Sequence, residues 1–146
     1  MNSETGKPLV AFNFLVSNFS LPNRNILKEF IRSIFRKYNK KFKSVEIVFC
    51  SDAYLLEINK QFLLHDYLTD IITFNLATEH QPIEAELYIS VERVKENAGL
   101  LDEPFQHELH RVLFHGILHL CGLNDKTQTD IQRMRIAESI LLHQYF

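Results

Sequence analysis

Hydrophobic positions fall along this chain in two rhythms, and the changes of rhythm divide it into elements. Leu9 to Val16 is apolar apart from Asn13 and predicts a first strand. Pro22 and Asn23 interrupt it. From Arg24 to about Lys40 the apolar residues Ile26, Leu27, Phe30, Ile31, Ile34, Phe35 and Tyr38 return at helical spacing. Val45 to Cys50 is rich in β-branched and aromatic residues and predicts a second strand. Ser51 or Asp52 can cap a short helix running to about Phe62. Asp70 to Leu76 predicts a third strand. After a turn around Gln81 and Pro82, Glu86 to Ser90 predicts a fourth. Ser90 can then cap a helix to about Leu100.

Two more helices are predicted. One runs from Glu103 or Pro104 to Cys121, with Phe105, Leu109, Val112, Leu113, Gly116, Ile117 and Leu120 on its buried face. Beyond Val112 it is apolar nearly all round, as Phe114, Leu118 and Cys121 show, so it belongs at the centre of the fold. The last spans about Thr129 to Leu142. The order βαβαββααα predicts an α+β single domain over residues 1–146, a small mixed four-stranded sheet covered by about five helices.

Charge adds a second layer. The 146 residues carry a net −2, but eight basic residues between Arg24 and Lys43 against Glu29 alone give that segment +7 and leave −9 for the rest. Arg24, Lys28, Arg32 and Arg36 are spaced by four and form a stripe on one helical face. A stripe of one sign in an otherwise acidic chain suits a phosphate-bearing partner. Met1 to Pro8 lacks the order of a signal peptide, and no apolar run approaches the roughly 20 residues of a membrane span. Cys50 and Cys121 lie in apolar segments and read as buried thiols rather than a disulfide. A cytoplasmic protein with no membrane partner is the expectation.

The chemistry concentrates in His115-Gly116-Ile117-Leu118-His119-Leu120-Cys121-Gly122-Leu123-Asn124-Asp125. His115 and His119 are one helical turn apart and share a face. Gly122 can end the helix in a left-handed turn, after which Asp125 can return a carboxylate to the two imidazoles. Two neutral nitrogens and one carboxylate make three ligands and leave a fourth position open, the arrangement of a catalytic rather than a closed structural site. Zinc suits these ligand types, which iron and nickel also accept. The H-E-x-x-H zinc peptidases carry a Glu after the first His as general base. Here that position is Gly116, which has no side chain to take a proton. Glu108 shares the face of the two histidines, but about two turns away, and pairs more readily with Arg111. His80, His107, His110 and His143 are not expected to bind the metal.

Several segments together resemble the YbeY family of bacterial rRNA maturation endoribonucleases. His115 to Gly122 is similar to the family's H-G-x-L-H-L-x-G-x-D-H. Ile58-Asn59, Asp66 and Thr69 to Phe74 resemble its L-N-x-x-Y-R-x-x-D-x-P-T-D-V-L-S-F block. Glu86 to Ser90 resembles its G-D-I-x-I-S strand, with Ala85 in place of the Gly. The resemblance runs from about Val10 to Leu142. It implies an α+β fold, one zinc held by three side chains, and a role in small-subunit rRNA processing and ribosome quality control. The chain departs from the pattern twice. Asp125 stands where the third ligand is usually His, with the spacing kept. Leu63 stands where the family has an Arg thought important for RNA cleavage, so no guanidinium is available there to hold a phosphate. His65, two residues on, is placed to take over part of that role, though it reads first as a surface loop histidine.

The expectation is therefore a zinc-dependent single-strand endoribonuclease acting on rRNA of the small ribosomal subunit, with no DNA partner. His115, His119 and Asp125 would hold one Zn2+, with Asp70 a further candidate for orienting a water or ligand. Arg24, Lys28, Arg32 and Arg36 would position the RNA backbone. The alternatives are a ribosome-associated assembly factor with a structural zinc and, behind it, a metalloprotease-like hydrolase.

Overall fold

The computed structural model describes residues 6–63 and 69–146. The elements are β1 (Leu9–Phe14), α1 (Arg24–Lys37), β2 (Phe42–Cys50), α2 (Asp52–Leu63), β3 (Ile71–Asn75), β4 (Ile83–Ser90), α3 (Val91–Leu101), α4 (Phe105–Leu120) and α5 (Gln128–Tyr145). The fold is the expected α+β arrangement in the expected order. The sheet runs β1-β2-β4-β3. β1, β2 and β4 are parallel, joined through helices as parallel strands must be. β3 lies antiparallel on the edge of β4.

Boundaries move where pairing or capping decides them. β2 begins at Phe42 and β4 at Ile83, three residues before the sequence pattern suggests, because these residues pair with each other. α1 stops at Lys37. Asn39 takes a left-handed φ of 58°, its N–H donates to Arg36 O at 3.0 Å, and Lys40 N–H donates to Phe35 O at 2.9 Å. This double closure ends the helix and throws Lys40 and Lys41 toward the start of β2. Ser90 caps α3 as expected, its Oγ accepting from Arg93 N–H at 3.1 Å. Asp52 begins α2 and ties it to α3, accepting from Ser90 Oγ at 2.6 Å and Arg93 Nη2 at 2.9 Å.

The main core lies between one sheet face and α4, which also touches α1, α3 and α5. Leu109, Leu113, Phe114, Ile117 and Leu118 are fully buried. α4 is thus apolar on nearly every side because it has neighbours on nearly every side. A smaller cluster of Cys50, Leu55, Ile58 and Ile72 holds α2 to the other sheet face. Cys50 and Cys121 are free, buried thiols, and burial pushes both up to about 12. Among the described residues no helix is long and apolar enough to cross a membrane.

Gly116 sets how closely α4 sits on the sheet. A Cβ there would lie 2.6 Å from Ile71 Cδ1, 2.7 Å from Leu87 Cδ2 and 3.3 Å from Thr73 Oγ1. The first two are ends of flexible side chains, and alanine gains about 1 kcal/mol of helix propensity over glycine. That gain offsets much of an overpacking cost of about 1–3 kcal/mol. Gly116→Ala is therefore expected to unfold in urea within about 1 kcal/mol of wild type. Gly116→Glu, which drives a carboxylate against β3 and β4, is expected to lose about 3 kcal/mol or more. Equal stability of the two variants would show that α4 stands off the sheet.

Candidate metal centre

His115 and His119 project from the same face of α4, and their Nε2 atoms lie 3.0 Å apart. The helix then ends by the same device as α1. Gly122 adopts φ 102°, its N–H donates to His119 O at 3.0 Å, and Leu123 N–H donates to Leu118 O at 3.1 Å. The reversal brings Asp125 Oδ2 to 3.5 Å from both imidazole Nε2 atoms. All three donor atoms fall within 4.8 Å of one another. Two nitrogens each 2.0–2.1 Å from a tetrahedral zinc are roughly 3.3 Å apart, so the observed spacing fits one small divalent ion without rearrangement. Three donors converging from one side leave the opposite side for water or substrate.

What holds His115 from behind lies outside its own motif. Glu138 of α5 accepts from His115 Nδ1–H at 2.6 Å, which fixes the tautomer and leaves the Nε2 lone pair facing the other two donors. The other Glu138 oxygen accepts from Arg111 Nη1 at 3.0 Å. Arg111 in turn donates to both oxygens of Glu108, at 2.7 and 2.8 Å. Glu108 and Glu138 are both buried. Burial pushes the Glu138 carboxyl up, but hydrogen bonds from His115 and Arg111 outweigh it and hold the group below its ordinary value. These same contacts hold the Arg111 guanidinium above its own. Glu108 therefore braces Arg111, as its spacing suggested, and is no base for the metal site. One signal for Glu138 exists in the sequence. It shares the buried stripe of α5 with Met134 and Leu141, where a carboxylate needs a partner.

The three donors open onto a cavity of about 540 Å³, walled by Asn59 and Leu63 of α2, by Thr73 and Asn75 of β3, and by Asp70 and Leu120. Asp70 thus lies in the cavity of the histidines, as its candidacy required. Burial raises its carboxyl above the usual range, against the pull of Arg111 and His115. Leu63, at the place of the missing arginine, is an exposed residue of the wall. No Lys or Arg lines this cavity among the described residues. His65 and Asp66 lie outside the described residues.

The basic stripe of α1 needs correction. Arg32 is 3% exposed, donates to Pro8 O at 2.9 Å and pairs with Glu29 at 2.7 Å. The segment leading into β1 covers it, so it is a structural cation and no part of a solvated face. Arg24 lies over the Phe14 ring at 4.4 Å, and Lys28 is half-buried. Arg32 and Arg36 border one depression near the sheet end, Arg32 from beneath its covering segment, and none of the four lines the metal cavity. Among the other histidines, His110 is buried, stacks on Tyr145 and donates from Nδ1 to Gln106 O at 2.7 Å. His107 stacks on Phe146. Neither belongs to the metal group.

A family model described as Endoribonuclease YbeY matches residues 17–146. An Endoribonuclease YbeY of Porphyromonas gingivalis is 43% identical over 132 residues, 89% of this chain and 87% of the relative. One of Bacteroides fragilis is 44% identical over 111 residues, 76% of this chain and 79% of the relative. A solution structure of a Thermotoga maritima protein shares the fold, with a TM-score of 0.60 at 24% identity, covering 94% of this chain and 88% of that one. By the family model over most of its length and this extent of identity to curated relatives, the chain belongs to the endoribonuclease YbeY family.

Proposed function

We propose that this protein is a zinc-dependent endoribonuclease that cuts single-stranded rRNA during maturation and quality control of the small ribosomal subunit, in the cytoplasm. The observation that carries the reading is the convergence of His115, His119 and Asp125 on one point of an open cavity, in a chain whose relatives are named endoribonucleases. When bound, zinc supplies a Lewis acid for phosphodiester oxygens and makes water a competent nucleophile near neutral pH. The chain's own residues set the geometry. Glu138 holds His115 in one tautomer, and the Gly122 turn holds Asp125 in reach. Asp70 presents a carboxyl to the same cavity, where it can orient the attacking water.

A second reading has its own observation. Leu63 and a wall without Lys or Arg among the described residues favour an assembly factor whose zinc holds the turn after Gly122. Single-turnover cleavage of end-labelled single-stranded and structured rRNA, read beside binding of the same RNA, separates the two. The wild-type protein is expected to cleave slowly, and only with metal loaded. Restoring a charged donor is worth on the order of 3 kcal/mol, so Leu63→Arg is expected to speed cleavage about a hundredfold. RNA binding without cleavage by both proteins, zinc loaded, would establish the assembly-factor reading.

A further inference from the structure

Resting on the ribonuclease reading, we propose that the RNA strand leaves the metal cavity across the end of the sheet and is gripped by Arg36, Lys40 and Lys41, where α1 passes into β2. The metal cavity is lined by no Lys or Arg among the described residues, and the cations the structure places nearest along its open side lie beyond it. It adjoins other depressions along the end of the sheet. Asn75 and Leu120 are shared with a depression of about 630 Å³ between the β3–β4 turn and the end of α1. Lys40, Lys41 and Pro82 are shared between that depression and a third, of about 540 Å³, into which Arg36 also faces.

The topology explains the alignment. Asn75 pairs with Ala85 and Phe42 with Ile83, so the end of β3, the start of β4 and the start of β2 lie at the same end of the sheet. β3 and β2 are separated by β4 alone, two strand spacings or roughly 10 Å. α4 delivers His119 and Leu120 to the same end. The Asn39 turn fixes the backbone of Lys40 through its bond to Phe35 O.

Charge along the path increases away from the metal. Glu79 is the acid of the middle depression and Glu29 that of the third. Glu29 is taken by Lys7 and Arg32, and Lys43 pairs with Glu84 at the surface. Among the described residues no carboxylate pairs with Arg36, Lys40 or Lys41. A metal site at one end of a row of adjoining depressions and unneutralised cations at the other match a polymer with a negative charge on every unit. An acidic segment of a protein would meet the cations but has no use for the metal end.

The test uses the full chain loaded with zinc and a fluorescent single-stranded oligoribonucleotide, with affinity read by anisotropy from about 50 to 200 mM salt. Each lost phosphate contact flattens the log–log salt slope by about 0.7, so Arg36→Gln/Lys40→Gln/Lys41→Gln should flatten it by about 2. Its zinc content and far-UV circular dichroism should stay those of wild type, and its cleavage should show a raised KM with kcat retained. Arg24→Gln/Lys28→Gln carries the rival placement along the outer face of α1 and should change the slope by less than one contact's worth. A wild-type slope in the triple variant, or a larger loss in the Arg24/Lys28 pair, overturns the track and leaves the ribonuclease reading standing. A wild-type protein with no salt-dependent RNA binding overturns both.

Discussion

Replacing His119 with alanine is expected to empty the proposed metal centre. Zinc measured by mass spectrometry is expected to fall from about one per chain to near zero, because three protein ligands become two. His115→Ala should do the same. RNA cleavage should drop by on the order of 10³ or more, the cost of losing the main source of charge stabilisation at the reacting phosphate. Asp125→Ala should only weaken binding. Asp125 is 46% exposed on the turn after α4, so water can take its place, whereas the histidines are fixed on the central helix. Asp125→His should retain the metal, since the turn already brings that position within reach of both rings. Full zinc occupancy in the His115→Ala/His119→Ala double variant would remove the metal centre from the interpretation.

Glu138 separates two effects that are usually confounded. Glu138→Ala leaves Arg111 bonded to Glu108 alone and leaves His115 Nδ1–H without its acceptor. Breaking a buried pair from one side costs about 3–5 kcal/mol, so the metal-free protein should unfold at clearly lower urea. Loss of the carboxylate behind a ligating histidine should also weaken zinc binding about 10- to 100-fold, read by titration against a competing chelator. Glu138→Gln keeps the volume and an acceptor for His115 but loses the charge facing Arg111. It is expected to recover part of the zinc affinity while remaining destabilised. If Glu138→Gln and Glu138→Ala bind zinc as tightly as wild type and differ from it only in stability, Glu138 supports the fold and has no part in positioning His115.

What could be read from the sequence was what neighbouring residues decide. The two histidines, the Gly122 turn and Asp125 occupy eleven consecutive positions, so one helical turn and the reversal that ends the helix bring their side chains together. α4 declared itself central because its apolar residues face every direction. Partners distant in sequence were not legible. Glu138 meets His115 across 23 residues, and nothing between them in the sequence marks the meeting. Arg32 looked like part of an exposed stripe because a helical projection omits Pro8, whose carbonyl reaches it from 24 positions away. The first residues of β2 and β4 were missed for the same reason, since each becomes a strand only beside the other. The cations of the proposed track were visible as charge, but which of them stay unneutralised depends on carboxylates that the fold brings near.

The order of the elements has a consequence for how the protein is made. The four strands of the described residues are complete by Ser90, whereas His115, His119, Asp125 and Glu138 all follow it. Synthesis proceeds at roughly 5–20 residues per second and N-terminal parts emerge first, so the sheet is available before any ligand has been added. A chain released prematurely between β4 and α4 carries the scaffold and no ligand. One released between Asp125 and Glu138 carries three donors around an unsupported His115. An interrupted translation product therefore lacks the donors or holds them without support, and only a chain read through α5 carries the centre with His115 braced.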